Sequence, residues 1–223
     1  MAVLLSGGVD SSVALNLVAA AGHKVTAFYL QARCCCARFL RFQRTLTLGC
    51  FSQIWFQEDF RNYWEACPWE EDLAYARAVC DQARVPLKVV PLTKQYWERV
   101  VAHSLAEIAA GRTPNPDVLC NSRIKFGAFL EHVAAAHAGA FDRVASGHYA
   151  RVTRFDRSGN GAEADADAAP APAPLLRLSE DAAKDQTYFL AGLSPTQLRA
   201  AMFPLGGCVC APRRSMHSLR ARC

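Results

Sequence analysis

No stretch of the 223-residue chain holds the roughly 18 consecutive apolar residues that would cross a membrane. The first residues lead straight into an apolar strand, with neither the basic-then-apolar pattern of a secretory signal nor a visible transit peptide. Among the ten cysteines no C-x-x-C pair occurs, so zinc-ribbon chemistry is excluded and no metal site is expected. Irregular cysteine spacing without a signal peptide points to reduced thiols and an intracellular protein, cytoplasmic in a bacterium and mitochondrial or plastid in a eukaryote. A net charge of +5, from 25 basic and 20 acidic residues, permits an anionic partner without demonstrating one. With 52% hydrophobic and 20% charged residues, what remains is a globular chain able to bury a substantial core.

The densest chemical signal opens the chain: "VLLSGGVDSS". An apolar run, Val3 to Leu5, stops at Ser6-Gly7-Gly8 and resumes as Val13, Ala14, Leu15 and Val18, which predicts a buried strand, a tight turn and a helix. Glycine lets backbone N–H groups approach an anion, and the first helical turn carries unpaired N–H groups, so the turn reads as a phosphate cradle. It has neither the spacing nor the lysine of a G-x-x-x-x-G-K-[ST] loop, whose lysine serves the β- and γ-phosphates, so a different phosphate bond is indicated. An ordinary strand–turn–helix joint has the same local pattern.

Farther along, strands are predicted at Val25 to Leu30, Leu87 to Leu92 and Arg143 to Ser146, and helices at Glu70 to Ala83, around Trp97 to Gly111, and at Ile124 to Ala136. The Trp97, Val101 and Leu105 stripe reads as core. The alternation predicts an α/β fold, a parallel sheet with helices on both faces, whose ligands sit beyond the carboxyl ends of the strands. Two segments interrupt it. Residues 32–53 contain Cys34, Cys35 and Cys36, four arginines, and neither lysine nor an acidic residue; they read as an insertion between "TAFYLQ" and "IWFQEDF". Residues 153–174, rich in Gly, Ala, Asp and Pro, read as a flexible surface loop.

A second constellation is "GRTPNPDVLCNSRIKFGAFL". Its two prolines predict a stiff loop between helices that presents Asn115, Asp117 and Cys120 together, with positive charge from Lys125 and a helix start at Asn121 to Ile124 favouring the thiolate. A plain connection, with Asp117 as a cap and Cys120 as a small filler, fits the same pattern. His148, beside Tyr149 at a strand end, reads as a hydrogen-bonded structural residue more readily than as a catalytic one.

"SGGVDSS", "TPNPDVLCN" running into "IKFGAFLEH", "SGHYARV", "LLRLSEDAAKDQTYFL" and "LSPTQLRAAMFPLGG" together resemble the tRNA-specific 2-thiouridylases, PP-loop ATP pyrophosphatases acting on the wobble uridine of tRNA. The first motif is shared by many PP-loop enzymes; "PNPDVLCN" with "KDQTYFL" is far more specific. The resemblance implies an adenine nucleotide alpha hydrolase-like fold over residues 1–152, a tRNA-contacting helical part at 175–207, and an atypical tail at 208–223 in place of the family's further β domains. It also implies two stages: ATP, with Mg2+, adenylates O2 of the uracil, and the sulfur of a persulfide donor protein then displaces AMP. Release of pyrophosphate explains a cradle without the lysine.

By the same resemblance, Leu4, Leu5, Ser6, Gly7, Gly8, Val9, Asp10, Ser11 and Ser12 hold the nucleotide phosphates, and Leu30 and Gly147 flank the adenosine. Asn115, Pro116 and Asp117 meet the target base; Lys184, Asp185 and Gln186 contact tRNA; Asp117 and Cys120 are catalytic. The family's second cysteine context, Ser-Thr-Gly-x-Cys-Phe, is missing, and Cys208, Cys210 and Cys223 lie in no such setting. The expectation is therefore an incomplete form in which sulfur transfer does not finish. A non-catalytic tRNA- or ATP-binding fragment and another PP-loop adenylating ligase stand as the alternatives.

Overall fold

The computed structural model describes residues 1–31, 69–137, 139–153 and 173–209. The inserted segment, nearly all of the low-complexity loop, and Cys210 and Cys223 lie outside the described residues.

Five short strands make one parallel sheet: β1 (Ala2–Leu4), β2 (Thr26–Gln31), β3 (Leu87–Pro91), β4 (Val144–Ala145) and β7 (Ala201–Met202), in the order β3-β2-β1-β4-β7. A separate antiparallel pair joins β5 (Arg151–Thr153) to β6 (Leu175–Arg177). Because side chains alternate across a strand, the apolar run at the start of the chain divides between the two faces. Val3, Leu5, Ala27 and Tyr29 pack on Leu15 and Val18 of α1 (Val9–Ala20) and on Leu73, Ala76 and Cys80 of α2 (Trp69–Ala83). Ala2, Leu4, Phe28 and Val90 face the opposite way, against Val100, Ile124, Phe126 and Phe129. The Phe28 and Phe129 rings meet edge to face with centroids 5.1 Å apart.

The second face is covered by two helices that each widen in the middle. In α3, residues 93–109, α-helical Thr93–Tyr96 passes into π-helical Trp97–Val101 and back to α-helical Ala102–Ala109. In α4, residues 116–136, Pro116–Leu119 passes into π-helical Cys120–Ala128 and then Phe129–Ala136. The two are tied across their wide turns: Arg123 donates from Nη1 to the Arg99 carbonyl, 2.9 Å, and Arg99 grips Glu131 with two hydrogen bonds of 2.8 Å.

Several boundaries differ from expectation. Helix α4 begins at Pro116, not at Ile124, because Asn115 caps it and proline at the first helical position needs no hydrogen-bond partner for its nitrogen. In the α3 stripe, Val100 and Ser104 are the buried positions, while Trp97, Val101 and Leu105 are partly covered; the π turn rotates the face. The fourth strand shrinks to two residues. The segment 175–207, expected to be helical, carries β6, two short helices, α5 (Thr187–Leu190) and α6 (Pro195–Ala200), and the edge strand β7. A two-residue strand has no periodicity to read, and its place is set by pairing with β4.

Candidate nucleotide and thiol site

Strand order reverses between β1, whose successors lie to one side, and β4 on the other. The crevice beyond the carboxyl ends of strands at such a reversal is where open α/β sheets take ligands. The Ser6–Ser12 loop leaves β1 there and Gly147 leaves β4 there, so topology alone brings the two together.

The loop is built from backbone. Gly7 has φ of +83°, and a Cβ on it would run into the carbonyl oxygen of Asp72 in the first turn of α2. Gly8, the N-cap of α1, has φ of −76° and ψ of 163°, and a Cβ there would meet only Ser6 Oγ, at 3.5 Å. Gly7, not Gly8, is thus the glycine the fold demands. Having no side chain, Gly8 leaves α1 uncapped, so the first-turn N–H groups keep no side-chain acceptor of their own. The serines bond within the turn: the Ser6 N–H donates to the Oγ of buried Ser11 at 3.2 Å, and Ser11 and Ser12 donate to the Gly8 carbonyl at 2.9 and 2.8 Å. They brace the turn from within. Val9 stands 77% exposed beside the open N–H groups. Leu4 and Leu5 bury their side chains on opposite faces of the sheet, which leaves their backbone as the part nearest the crevice.

Gly147 forms the second wall. A Cβ on it would lie 2.7 Å from Ser11 N and 2.8 Å from the Asp10 carbonyl carbon, so only glycine lets β4's exit pass the start of α1. The neighbouring Ser146 is buried, with its Oγ 2.7 Å from His148 Nδ1. The His148 ring lies between Phe126 and Phe203, centroids 6.4 and 6.1 Å away. Burial first, and the nearby Lys125 ammonium second, push its pKa down to about 3, so the imidazole is neutral. Leu30 packs on the α3/α4 side, in the same cluster as Leu4.

The predicted thiol region takes a different form. Asn115 accepts from the N–H groups of Asp117 and Val118 at 3.0 and 3.3 Å, so Asn115, not Asp117, is the cap, and Asp117 is exposed in the first turn. Cys120 is on the helix, not on a stiff loop: half-buried, the fifth residue of α4, it packs against the cluster that holds Leu4 and Leu30. The helix start expected after it, at Asn121 to Ile124, is the interior of the π turn. Asn121 is buried and donates from Nδ2 to the Phe189 carbonyl at 2.9 Å, while its Oδ1 has no hydrogen-bond partner among the described residues. Gln197 of α6 donates to the Ser122 carbonyl at 2.7 Å.

The Lys184–Gln186 triplet closes the circuit. Both oxygens of Asp185 are engaged, accepting from Ser179 N at 2.7 Å, Thr187 Oγ1 at 2.9 Å and Thr187 N at 3.1 Å; burial opposes its charge, yet these bonds prevail and hold its pKa below the usual range. Gln186 bonds Tyr149 twice, donating from N to the Tyr149 carbonyl at 2.9 Å and accepting from Tyr149 N at 3.2 Å. Lys184 is the member of the triplet with an exposed side chain. Tyr149 also donates from its hydroxyl to Asp10 at 3.4 Å, and the Phe189 N–H donates to the Gln186 carbonyl at 3.1 Å. A hydrogen-bonded path thus runs from Asp10 through Tyr149, Gln186 and Phe189 to Asn121, the residue next to Cys120. Tyr149 and Asn121 escape a reading of the sequence, since each earns its place through a partner far along the chain; the only signal is their presence inside quoted motifs.

Cys208, weighed as a thiol on an unanchored tail, is instead buried with Ala14, Tyr149 and Leu205 against α1. Burial, and then Asp81, raise the Cys80 thiol, which fills the core behind α2. Among the described residues no group of three or more His, Cys, Asp or Glu side chains could hold a metal, and no helix is long and apolar enough to cross a membrane.

A family model described as tRNA methyl transferase HUP domain matches residues 1–38 and 33–217. Over 202 residues, 91% of the chain, the sequence is 40% identical to a tRNA-specific 2-thiouridylase MnmA of Legionella pneumophila. It is 39% identical to the protein of that name from Hydrogenovibrio crunogenus and 40% identical to that from Methylobacillus flagellatus, over the same length. The chain spans less than half of these relatives, 44%, 42% and 44% of their lengths respectively.

Proposed function

Because the chain belongs to the tRNA methyl transferase HUP domain family, we propose that it acts in 2-thiolation of uridine in tRNA, the activity that its relatives' names describe, with ATP as the activating substrate. The carrying observation is the uncapped, glycine-walled start of α1 at the sheet's reversal point, linked by hydrogen bonds to the helix that bears Cys120.

In the first stage uracil O2 attacks the α-phosphorus of ATP and the bond to pyrophosphate breaks. The first-turn N–H groups of α1 receive the leaving pyrophosphate, a role that a fixed dipole fills without a lysine. Bound together with the nucleotide, Mg2+ would offset the charge of its phosphates at this turn. Leu30 and Gly147 flank the adenosine. In the second stage the outer sulfur of a persulfide on the donor protein attacks C2 and AMP departs, leaving the base joined to the donor through an S–S bond, with Asn115, Pro116 and Asp117 meeting the base. The Cys120 thiolate attacks the donor-side sulfur, that S–S bond breaks to release 2-thiouridine, and the Cys120–donor disulfide formed is reopened by a thiol reductant. A uridine in a single-stranded loop can be splayed out to reach both groups. The family model's description speaks of methyl transfer; a lysine-free anion cradle linked by hydrogen bonds to a thiol-bearing helix suits adenylation and sulfur chemistry instead.

The test is to incubate the chain with ATP, unmodified tRNA and a persulfide donor protein, measuring pyrophosphate and, after digestion, 2-thiouridine. Pyrophosphate release that depends on tRNA and survives Cys120→Ser is expected. tRNA binding without pyrophosphate release would make the chain a binding fragment, and release indifferent to tRNA would make it another adenylating ligase.

A further inference from the structure

Helix α5 displays an aromatic side chain to solvent where burial would be the ordinary outcome. Its Leu190 is buried and Phe189 half-buried, whereas Tyr188 between Thr187 and Phe189 is 67% exposed. The ring has one aromatic neighbour: Tyr188 and Phe189 meet edge to face, centroids 5.4 Å apart at 81°. Leu178, also 66% exposed, precedes the Ser179 that Asp185 grips, and Thr187 Oγ1 donates to the Arg177 carbonyl at 3.3 Å, so β6 and the start of α5 form one surface.

Among the described residues the charge of that surface is one-sided. Lys184 and Arg177 are exposed. The acidic groups nearby are occupied: Asp185 by Ser179 and Thr187, Glu180 by Arg151, and Asp181 by burial and the Ala183 N–H. An exposed aromatic ring four residues along the chain from an exposed lysine offers what a splayed nucleobase and its phosphate require, since every base has a π-face and every nucleotide an anion. Phe189, which meets the ring, also accepts the hydrogen bond from Asn121 beside Cys120.

We infer that Tyr188 is the stacking platform for an unpaired nucleobase of the RNA substrate, with Lys184 on the flanking phosphate. This rests on the reading of tRNA as substrate.

The experiment uses the whole chain and anticodon stem–loop RNAs that each carry 5-iodouridine at one unpaired position flanking the wobble uridine, with affinity measured by fluorescence anisotropy and ultraviolet crosslinks mapped by mass spectrometry. Tyr188→Phe should bind within about twofold of wild type, and Tyr188→Ala and Tyr188→Leu roughly tenfold or more weaker, as loss of one stacked base implies. The salt slope should be unchanged in Tyr188→Ala and shallower by about 0.7 in Lys184→Ala. The crosslink should fall on Tyr188. Melting temperatures equal to wild type show that the exposed substitutions leave the fold intact. Wild-type RNA affinity in folded Tyr188→Ala, or a crosslink confined to other residues, would overturn the stacking role while leaving the substrate reading standing. No RNA binding by the wild type would overturn both.

Discussion

The two halves of the site are held by opposite means. On the loop side, from Ser6 to Ser12 and at Gly147, position comes from backbone passing backbone, and what matters is the lack of side chain at Gly7 and Gly147. On the thiol side, around Cys120, position comes from side chains reaching backbone carbonyls of distant segments: Asn121 to Phe189, Gln197 to Ser122 and Arg123 to Arg99. The loop side is therefore intolerant of added atoms, and the thiol side of removed ones.

Adding atoms should give the largest effect. Gly147→Val forces branched carbon into the Ser11 and Asp10 backbone, where no flexible side-chain end can give way. A loss of about 3 kcal/mol or more in stability is expected, with ATP affinity lost alongside; thermal melts and calorimetry measure both. ATP binding retained at wild-type strength would show that the crevice wall can move.

Removing atoms comes next. Asn121→Leu strands the Phe189 carbonyl and should cost about 2 kcal/mol. Because the Asn121 Oδ1 is itself without a partner, a cost near zero in urea unfolding would mean that relief of this orphan offsets the lost bond, and the thiol side would be less dependent on side chains than argued.

His148 belongs to both halves, following Gly147 and packing on Phe126 of α4. Its folded pKa, about 3, lies below the ordinary 6.5. Below pH 6.5 the unfolded chain takes up a proton that the folded site refuses. Its contribution is therefore complete above pH 6.5 and is lost as pH falls toward 3, by up to about 1.4 kcal/mol per pH unit. Urea midpoints above and below pH 6.5 should fall less steeply in His148→Asn than in wild type; parallel slopes would place the proton elsewhere.

Asn115→Ala removes the cap of α4 and should cost about 1 kcal/mol. Smallest of all, Gly8→Ala should change stability by less than about 0.5 kcal/mol, since its backbone angles suit any residue and its Cβ has room. A large loss there would show that the whole turn, not Gly7 alone, is closed to side chains.

The loop side was legible because its information is local. Two glycines between an apolar run and a second apolar segment, whose buried positions Ser11, Ala14, Leu15 and Val18 recur at helical spacing, specify strand, turn and helix, and the alternation of strands and helices specifies a parallel sheet whose reversal brings Gly147 to α1. The same local reading misjudged Pro116, which starts a helix only because Asn115 caps it, and so placed Cys120 on a loop.

From the sequence alone came the parallel sheet with helices on both faces and the strand, glycine turn and helix that open it. Tertiary structure alone decided that β7 joins β4, that α3 and α4 lock at their π turns, that Cys208 is core, and that Tyr149 and Asn121 link loop to thiol. The reason is separation along the chain. Tyr149 bonds to Asp10 across 139 positions and Asn121 to Phe189 across 68. A hydrogen bond between such residues leaves no periodicity and no motif, and exists only once the sheet has brought its ends together.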